Sequence, residues 1–392
     1  MEEYEFLNFR KAPYLELDDY KAPKGIKSYF VPMDDGIRLR VCHWINTSKE
    51  KKGTILLQQG HNEFIEKYYE TIQEFLDKNY SVIAFDWRGQ GMSDHQLDDI
   101  HKAYIKDFER HDKDLKYILE EIIEKRFSKP LIGIGHSMGG CIMLSAFHDH
   151  PNKFLKGILS APMLGFKNER FLKTASSLMN FFKKDTDYLV GSKPNMGKET
   201  QFQNNDLTTD LDRYKRIIYL VRKHPNIRLW GVTNAFAKAV NKRLKIMRTN
   251  NWAEEIDLDI LIINNTKDRV VDSGKIDFME KRLKKSKIIK FEKTEHEKLK
   301  EDLDFLQGTT IGSEEDTERK IKAMEVEIPK EKELADEMNA EAQTLADSNK
   351  DLEEKTAICK LSITKNSISF YEKSDSLIEE INNQLKTENI DF

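Results

Sequence analysis

Ser137 lies in the run Gly135-His-Ser-Met-Gly139, whose small residues are typical of the surroundings of a nucleophilic serine. The apolar run Pro130 to Ile134 predicts a short buried strand before it, and Cys141 to His148 predicts a helix after it. A strand, a sharp turn and a helix with a serine at the apex form a nucleophile elbow, whose tight turn requires small flanking residues. The pattern predicts that Ser137 attacks a carbonyl and that the Met138 N–H is one donor to the resulting oxyanion. A phosphate-binding turn and a purely structural turn remain alternatives.

A serine hydroxyl needs a base that accepts its proton and a carboxylate that orients the base. In the architecture of an elbow these partners follow the serine in the order acid, then histidine. Asp268 comes shortly after the predicted strand Ile260–Asn264, and His296 comes shortly after the predicted strand Ser286–Phe291. The order and the positions therefore predict Asp268 as the acid and His296 as the base.

Other residues near these positions have weaker claims. Asp272 is the alternative acid, although it lies farther from the end of its strand, and His136 lies inside the elbow, where we expect it to shape the turn. The oxyanion needs a second N–H donor. The turn after the strand Thr54–Gln58 is placed to supply it through His61, unless Gln59–His61 is only an ordinary turn at a strand end.

Strands and helices alternate along most of the chain, and this predicts a mostly parallel sheet with helices on both faces. Functional residues of such sheets collect at the carboxyl ends of the strands, where Gly60, Arg88 and Ser137 all fall. The predicted strands are Lys27–Val31, Ile37–Trp44, Thr54–Gln58, Tyr80–Phe85, Pro130–Ile134, Lys156–Ser160, Ile260–Asn264 and Ser286–Phe291.

The alternation stops between about Pro162 and Thr249, where the sequence predicts helices. We expect residues 163–249 to form a helical cap inserted between two parts of the core, 1–162 and 250–306. One predicted cap helix carries an apolar stripe at helical spacing, which we expect to pack against the core. Lining an acyl pocket or touching lipid is the alternative for this stripe, which comprises Phe171, Leu172, Ala175, Leu178, Met179 and Phe182.

Charge divides the chain into two compositionally different parts. The 392 residues carry a net charge of −4, which favours neither nucleic acid nor an anionic membrane as a partner. Residues 307–392 alone carry −10, whereas the preceding residues carry +6. We expect 307–392 to be an acidic tail that is helical or partly disordered and cleaved first by a protease between Gly308 and Glu318. Its partner is unknown.

The cysteines and the first residues point to an ordinary intracellular protein. The chain has three widely separated cysteines, which provide neither a disulfide framework nor the spacing of a metal site. The first residues lack the basic and apolar regions of a secretory signal. We therefore expect a soluble cytoplasmic protein without metal or cofactor.

Four segments resemble, in their order and spacing, the α/β-hydrolases of the lysophospholipase and monoacylglycerol lipase family. They are Gln59-Gly-His-Asn-Glu63, Asp86-Trp-Arg-Gly-Gln-Gly-Met-Ser93, Gly135-His-Ser-Met-Gly139 and Ser160-Ala-Pro-Met-Leu164. The cap segment from Phe202 to Asp210, with Arg213 and Tyr214, resembles the lysophospholipase branch. The resemblance extends over about residues 30–306.

This resemblance implies an α/β-hydrolase fold with a helical cap and a serine esterase acting without a cofactor on acyl monoesters of glycerol or glycerophospholipids. It implies the triad Ser137, Asp268 and His296, with Arg88 and Glu63 linking loops. The chain departs from the family at Lys293-Thr-Glu295, where a glycine or small residue is usual, and at Gly308, where the closing helix is cut short.

The sequence therefore predicts a serine hydrolase that releases a fatty acid from a lysophospholipid through an acyl-enzyme. A monoacylglycerol lipase, a short-chain carboxylesterase or a thioesterase are alternatives, because they share the same triad. An interaction protein that keeps a hydrolase scaffold for its tail is the alternative from another class. The expected partner is a small lipid or ester substrate, with no nucleic acid and at most transient membrane-surface contact through the cap.

Overall fold

A twisted sheet of nine strands runs through the computed structural model, which describes residues 9–167, 184–189, 202, 208 and 210–291. The sheet strands are β1 (Arg10–Lys11), β2 (Lys27–Pro32), β3 (Arg38–Trp44), β4 (Gly53–Gln58), β5 (Tyr80–Phe85), β7 (Leu131–His136), β8 (Lys156–Ser160), β10 (Ile260–Asn265) and β11 (Ser286–Phe291). Their spatial order is β1-β2-β3-β5-β4-β7-β8-β10-β11. A separate pair consists of β6 (Lys102–Ala103) and β9 (Gly231–Val232).

The strand directions follow from the connections between them. β1, β2, β3 and β5 pair antiparallel, and a short turn joins β2 to β3. From β5 to β11 all neighbours are parallel, with helical segments between successive strands. Every residue of β4, β5 and β7 is buried, as expected for strands covered on both faces. The predicted parallel sheet is confirmed.

Helices cover both faces and divide the core into two apolar layers. One layer contains α1 (Tyr69–Asp77), whose Ile72 and Phe75 pack on the sheet. The other contains apolar side chains of α2 (Glu109–Tyr117, continuing through a wider turn at Ile118–Ile123 to Glu124–Arg126), α3 (Ser137–Asp149) and α5 (Asn234–Met247). The described residues also form α4 (Leu211–Lys223) and α6 (Ser273–Glu280).

The helix after the elbow is longer than the sequence indicates. The sequence pattern predicts a helix from Cys141, yet α3 starts at Ser137 itself, although Gly139 and Gly140 are poor helix formers. All of its residues from Ser137 to Phe147 are buried, so tertiary packing compensates for the weak local preference. The last strand residue and the first helix residue are therefore adjacent in the sequence.

The predicted cap is described in part, and it is not purely helical. Asp210 and Thr233 cap α4 and α5 by accepting hydrogen bonds from Arg213 and Phe236 amides, respectively. Between these helices, β9 pairs with β6 of the core. Two residues cannot be recognised as a strand from sequence, because their pairing partner lies far away in the chain. Among the described residues, no helix is long and apolar enough to cross a membrane.

Candidate active site

Ser137 lies at the junction of β7 and α3 in a strained backbone conformation. Its φ is +50°, a left-handed value that residues with a Cβ adopt at a cost of about 1–3 kcal/mol. Its side chain lies at the carboxyl edge of the sheet and is 6% exposed. A non-glycine residue in this conformation between a strand and a helix has the geometry of a nucleophile elbow.

Two glycines permit this sharp turn, because the backbone passes too close for a side chain. A Cβ on Gly135 would lie 2.7 Å from the Gly139 carbonyl oxygen. A Cβ on Gly139 would lie 2.5 Å from the carbonyl oxygen of Gln59 and 2.6 Å from that of Gln58. Both contacts are with backbone atoms, so neither can be relieved by a side-chain rotation.

We expect Gly139→Ala to lower the free energy of unfolding by about 1–3 kcal/mol, because the added methyl group pushes α3 away from β4. Gly274→Ala is the matched control, since its Cβ meets only the Asp272 Oδ1, at 3.2 Å. Urea denaturation of the two variants measures the difference. Equal stability would show that the turn relaxes freely.

The turn after β4 packs directly against the elbow. A Cβ on Gly60 would lie 3.0 Å from the Ser137 Cβ and 2.9 Å from the Glu63 Oε2. The Glu63 Oε2 accepts hydrogen bonds from the Gly60 N–H at 2.5 Å and the Tyr68 hydroxyl at 2.6 Å. Glu63 therefore holds the turn from the core side, which is the loop-linking role that the resemblance implied.

The charges around Glu63 keep it ionised. Burial alone would raise the pKa of the Glu63 carboxyl, but Lys67 and His136 outweigh burial and hold that pKa well below its ordinary range. The Lys67 Nζ donates to the Glu63 Oε1 at 2.5 Å, and the His136 Nε2 lies 3.8 Å from the same oxygen. His136 thus lies beside Glu63, which holds the turn after β4, and this position agrees with the predicted shaping role.

His61 follows Gly60 in the turn after β4, and Met138 follows Ser137 at the start of α3. The His61 ring packs on Phe236 of α5, with 4.8 Å between the ring centroids. Burial lowers the pKa of the His61 imidazole to about 4, so the ring is neutral at physiological pH. Met138 is the second residue of α3, where backbone N–H groups have no acceptor within the helix and the helix dipole favours negative charge.

A buried ionic cluster that sequence reasoning missed supports the same turn. Arg40 donates to the Asp86 Oδ2 at 2.7 Å and to the Glu66 Oε2 at 2.7 Å, and all three side chains are fully buried. The Gln59 amide donates to the Asp86 Oδ1 at 3.0 Å. Burial raises the pKa of the Asp86 carboxyl, and the Arg40 guanidinium opposes that shift. Of the three ionic side chains, Asp86 alone lies in a motif that the sequence singled out.

Arg88 fixes a second loop rather than reaching the elbow. Its guanidinium donates to the Asp114 Oδ2 at 2.6 Å and the Asp35 Oδ2 at 2.8 Å. These contacts connect the loop after β5 to α2 and to the turn between β2 and β3. The resemblance implied this structural role.

Asp268 and Asp272 have different surroundings. Asp268 is fully buried, and its Oδ1 accepts hydrogen bonds from the Val270 N–H at 2.7 Å and the Val271 N–H at 2.9 Å. Asp272 is the N-cap of α6 and accepts from the Gly274 N–H at 2.9 Å. Asp272 therefore has a local structural role, whereas Asp268 is held at the carboxyl edge of the sheet.

The segment that leaves β8 links the elbow to the loop carrying Asp268. The Met163 N–H donates to the Ser137 carbonyl at 2.9 Å, and the Asp272 N–H donates to the Gly165 carbonyl at 3.0 Å. Phe166 forms a bridge with Val271. β7 and β10 also flank β8 in the sheet. Ser137 and Asp268 therefore both lie at the carboxyl edge of the sheet, and the segment after β8 links the loops that carry them.

Several predicted features lie outside the described residues. They are His296, the apolar stripe from Phe171 to Phe182, the closing helix and the tail. β11, which precedes His296, is described and pairs parallel with β10, so its carboxyl end lies at the same edge as the loop of Asp268.

The two described cysteines are not activated nucleophiles. Cys42 and Cys141 are buried, and burial raises the pKa of each thiol to about 12. A thiol with such a pKa is not a nucleophile at neutral pH. No group of three or more metal-ligating side chains is brought together in the part of the chain that the structure describes.

Comparison with known proteins places the chain among hydrolases. Probable lysophospholipase L2 of Haemophilus influenzae is 25% identical over 243 residues, which are 62% of this chain and 76% of that protein. Monoglyceride lipase of Rattus norvegicus is 24% identical over 236 residues, which are 59% of this chain and 70% of that protein.

Solved structures show the same fold. A soluble variant of monoglyceride lipase from Saccharomyces cerevisiae has a TM-score of 0.56 at 17% identity, covering 79% of this chain and 97% of that one. A thermostable carboxyl esterase from Bacillus coagulans has a TM-score of 0.57 at 18% identity, covering 73% and 95%. The predicted α/β-hydrolase fold is confirmed.

The model of the family described as serine aminopeptidase, S33, matches residues 49–302, which include the elbow, the turn after β4 and the loop of Asp268. The match spans more than half of the 392 residues. The chain therefore belongs to this family of α/β-hydrolases.

Proposed function

We propose that this chain is a serine esterase that removes the acyl group from a monoacyl lipid, with a lysophospholipid as the preferred substrate. The observation that carries the proposal is Ser137 at φ +50°, next to the N-terminus of α3 and packed against Gly60. In this arrangement the serine lies beside the backbone N–H groups of the turn after β4 and those of the first residues of α3.

Each residue has a defined role in the proposed reaction. The Ser137 Oγ attacks the ester carbonyl carbon while His296 accepts the hydroxyl proton. Asp268 orients His296 and stabilises its charged form. His296 then gives the proton to the departing alcohol oxygen, which leaves an acyl ester on Ser137. A water molecule, deprotonated by His296, hydrolyses that ester and releases the fatty acid.

The position of Asp268 is compatible with this role. The axes of β7 and β10 are separated by β8 and so lie about 10 Å apart. A histidine ring that enters from the carboxyl end of β11 would bridge this gap, with one nitrogen toward Ser137 and the other toward Asp268. The buried carboxylate and its backbone donors give the acid a fixed orientation.

The amides of the two turns support an oxyanion site. The Gly60 N–H already donates a hydrogen bond to the Glu63 carboxylate. In the part of the chain that the structure describes, the His61 N–H has no acceptor, and we assign it as the second oxyanion donor with the Met138 N–H. Two fixed donors stabilise the charge that develops on the carbonyl oxygen, and losing one costs roughly 10²–10³ in kcat.

Two observations favour a lysophospholipid over other esters. The relative from Haemophilus influenzae is named a probable lysophospholipase, and the cap residues Phe202 and Tyr214, whose rings lie 5.4 Å apart, belong to the segment that resembles that branch. A monoacylglycerol is the second candidate, because other relatives are named monoglyceride lipases. The family description names an aminopeptidase, and the same acyl-enzyme chemistry can cleave an amide.

A substrate panel tests the proposal on the full chain. We expect a fluorophosphonate probe to label Ser137, and we expect palmitoyl lysophosphatidylcholine to be hydrolysed with a higher kcat/KM than 1-palmitoylglycerol, p-nitrophenyl acetate and an aminoacyl anilide. The common acyl chain of the first two substrates makes the headgroup the only difference between them. Faster cleavage of 1-palmitoylglycerol would show that a monoacylglycerol is the preferred substrate. Faster cleavage of the anilide would show that the enzyme cleaves an amide bond in preference to an ester bond. The absence of labelling would favour a scaffold that acts as an interaction protein.

A further inference from the structure

Asn62, the residue after His61, connects the turn after β4 to the cap. Its φ of +59° is a left-handed value, which asparagine adopts more readily than most residues. Its Nδ2 donates to the Leu229 carbonyl at 3.2 Å, and its Oδ1 accepts from the Leu229 N–H at 2.7 Å. The side-chain amide thus pairs with one residue of the cap through both of its polar atoms.

The cap segment around Leu229 is itself fixed by several contacts. Leu229 is buried, and the N–H of Trp230 donates to the His101 carbonyl at 2.8 Å. The next residues form β9, which pairs with β6. These contacts hold the segment in place. Because Asn62 makes two hydrogen bonds to Leu229, the position of the segment restrains the turn after β4.

The turn is therefore held from two sides. On the core side, Glu63 accepts the Gly60 N–H at 2.5 Å. On the cap side, the Asn62 side chain pairs with Leu229. The Asn62 N–H donates to the Gln90 Oε1 in the core loop after β5. His61, whose N–H is the assigned oxyanion donor, lies between these two anchors. Its ring contacts Phe236, which is also a cap residue.

We infer that Asn62 is a positioning residue that couples the placement of the cap to the orientation of the His61 oxyanion donor. This inference rests on the proposed function. When the cap segment at Leu229 is in place, the Asn62 side-chain amide holds the backbone of the turn, including the Gly60–His61 peptide group that carries the His61 N–H. When that pairing is lost, the donor is free to rotate away from the carbonyl oxygen, and the site keeps its nucleophile without a complete oxyanion hole.

Two variants test Asn62 without forcing a backbone change. Asn62→Gly removes both hydrogen bonds to Leu229 and tolerates the positive φ. Asn62→Asp keeps an acceptor for the Leu229 N–H but replaces the donor with a carboxylate that repels the Leu229 carbonyl. Asn79→Gly is the matched control, because Asn79 has a φ of +69° after the end of α1 and its backbone bonds to Lys52 and Leu76 rather than to Leu229.

We expect both Asn62 variants to lower kcat for an ester substrate by about 10- to 100-fold, with KM changed by less than about threefold. A trifluoromethyl ketone, which forms an oxyanion on attack by serine, should bind more weakly by the same factor as the loss of kcat. A non-hydrolysable ether analogue of the substrate forms no oxyanion, so its inhibition constant should stay within about threefold of wild type. A merely structural role would weaken both inhibitors together.

The outcomes separate this inference from the proposed function. Wild-type protein that neither reacts with a fluorophosphonate nor cleaves any ester would overturn the proposed function and this inference with it. Active wild-type protein with kcat of both Asn62 variants equal to that of Asn79→Gly would overturn the inference alone. If Asn62→Gly fails to fold, the ratio of the two inhibition constants for Asn62→Asp decides the result.

Discussion

Ser137→Ala is expected to reduce ester turnover by roughly four to six orders of magnitude while leaving the fold intact. The substitution removes the Oγ that attacks the carbonyl and retains the Cβ that packs beside Gly60. The circular dichroism spectrum and the thermal midpoint should therefore match wild type. Steady-state hydrolysis of p-nitrophenyl butyrate measures the loss, and a fluorophosphonate probe should no longer label the protein.

The control for this prediction is Ser145→Ala, a change of the same type in the same helix. Ser145 is buried, and its hydroxyl accepts a hydrogen bond from Arg243 rather than lying at the elbow. Its loss should affect stability more than activity. Turnover by Ser137→Ala within tenfold of wild type would end the assignment of Ser137 as the nucleophile.

Asp268→Asn is expected to lower kcat by about 10⁴, because an amide leaves the histidine in the wrong tautomer and does not stabilise its charged form. The asparagine Oδ1 can still accept the two backbone hydrogen bonds from Val270 and Val271, so the loop should keep its shape. The measurement is kcat at saturating ester, together with the thermal midpoint of each variant.

Asp272→Asn is the matched control at the other candidate acid. Asparagine is as good an N-cap as aspartate, so α6 should remain stable and kcat should change by less than about threefold. Both changes replace a carboxylate by an amide of the same size, and they differ only in position. If Asp272→Asn proves the more damaging change, the acid is the residue at the start of α6.

The two observed anchors of the turn explain why the site would depend on residues that touch no substrate. Glu63 and Asn62 are neighbours in sequence, yet Glu63 bonds within the turn to Gly60, whereas Asn62 bonds to Leu229 just before β9. The ion cluster of Arg40, Glu66 and Asp86 contacts the same turn through the Gln59 side-chain amide, which donates to the Asp86 Oδ1. A hydrogen-bond donor contributes to catalysis only if it is already oriented when charge develops. Rigid support is therefore part of the proposed chemistry.

Local sequence patterns determined the parallel sheet and the position of the elbow. Runs such as Tyr80–Phe85 and Lys156–Ser160 form strands with the predicted bounds, because a continuous apolar stretch of this length is stable only when buried on both faces. Gly135 and Gly139 marked the elbow, since only glycine fits where backbones approach so closely. Short-range sterics and burial act within a few residues and are visible in sequence.

Tertiary structure alone decided how the turn after β4 is anchored. Asn62 and Leu229 are 167 positions apart, and Arg40 lies 46 positions from Asp86. The pairing of a polar side chain with a distant backbone group leaves no periodic or compositional pattern, because either partner would look the same on an exposed loop. Likewise, α3 begins at Ser137 despite its glycines, because packing of the whole helix outweighs local propensity. The sequence names the groups that could react, and the long-range contacts fix their orientation.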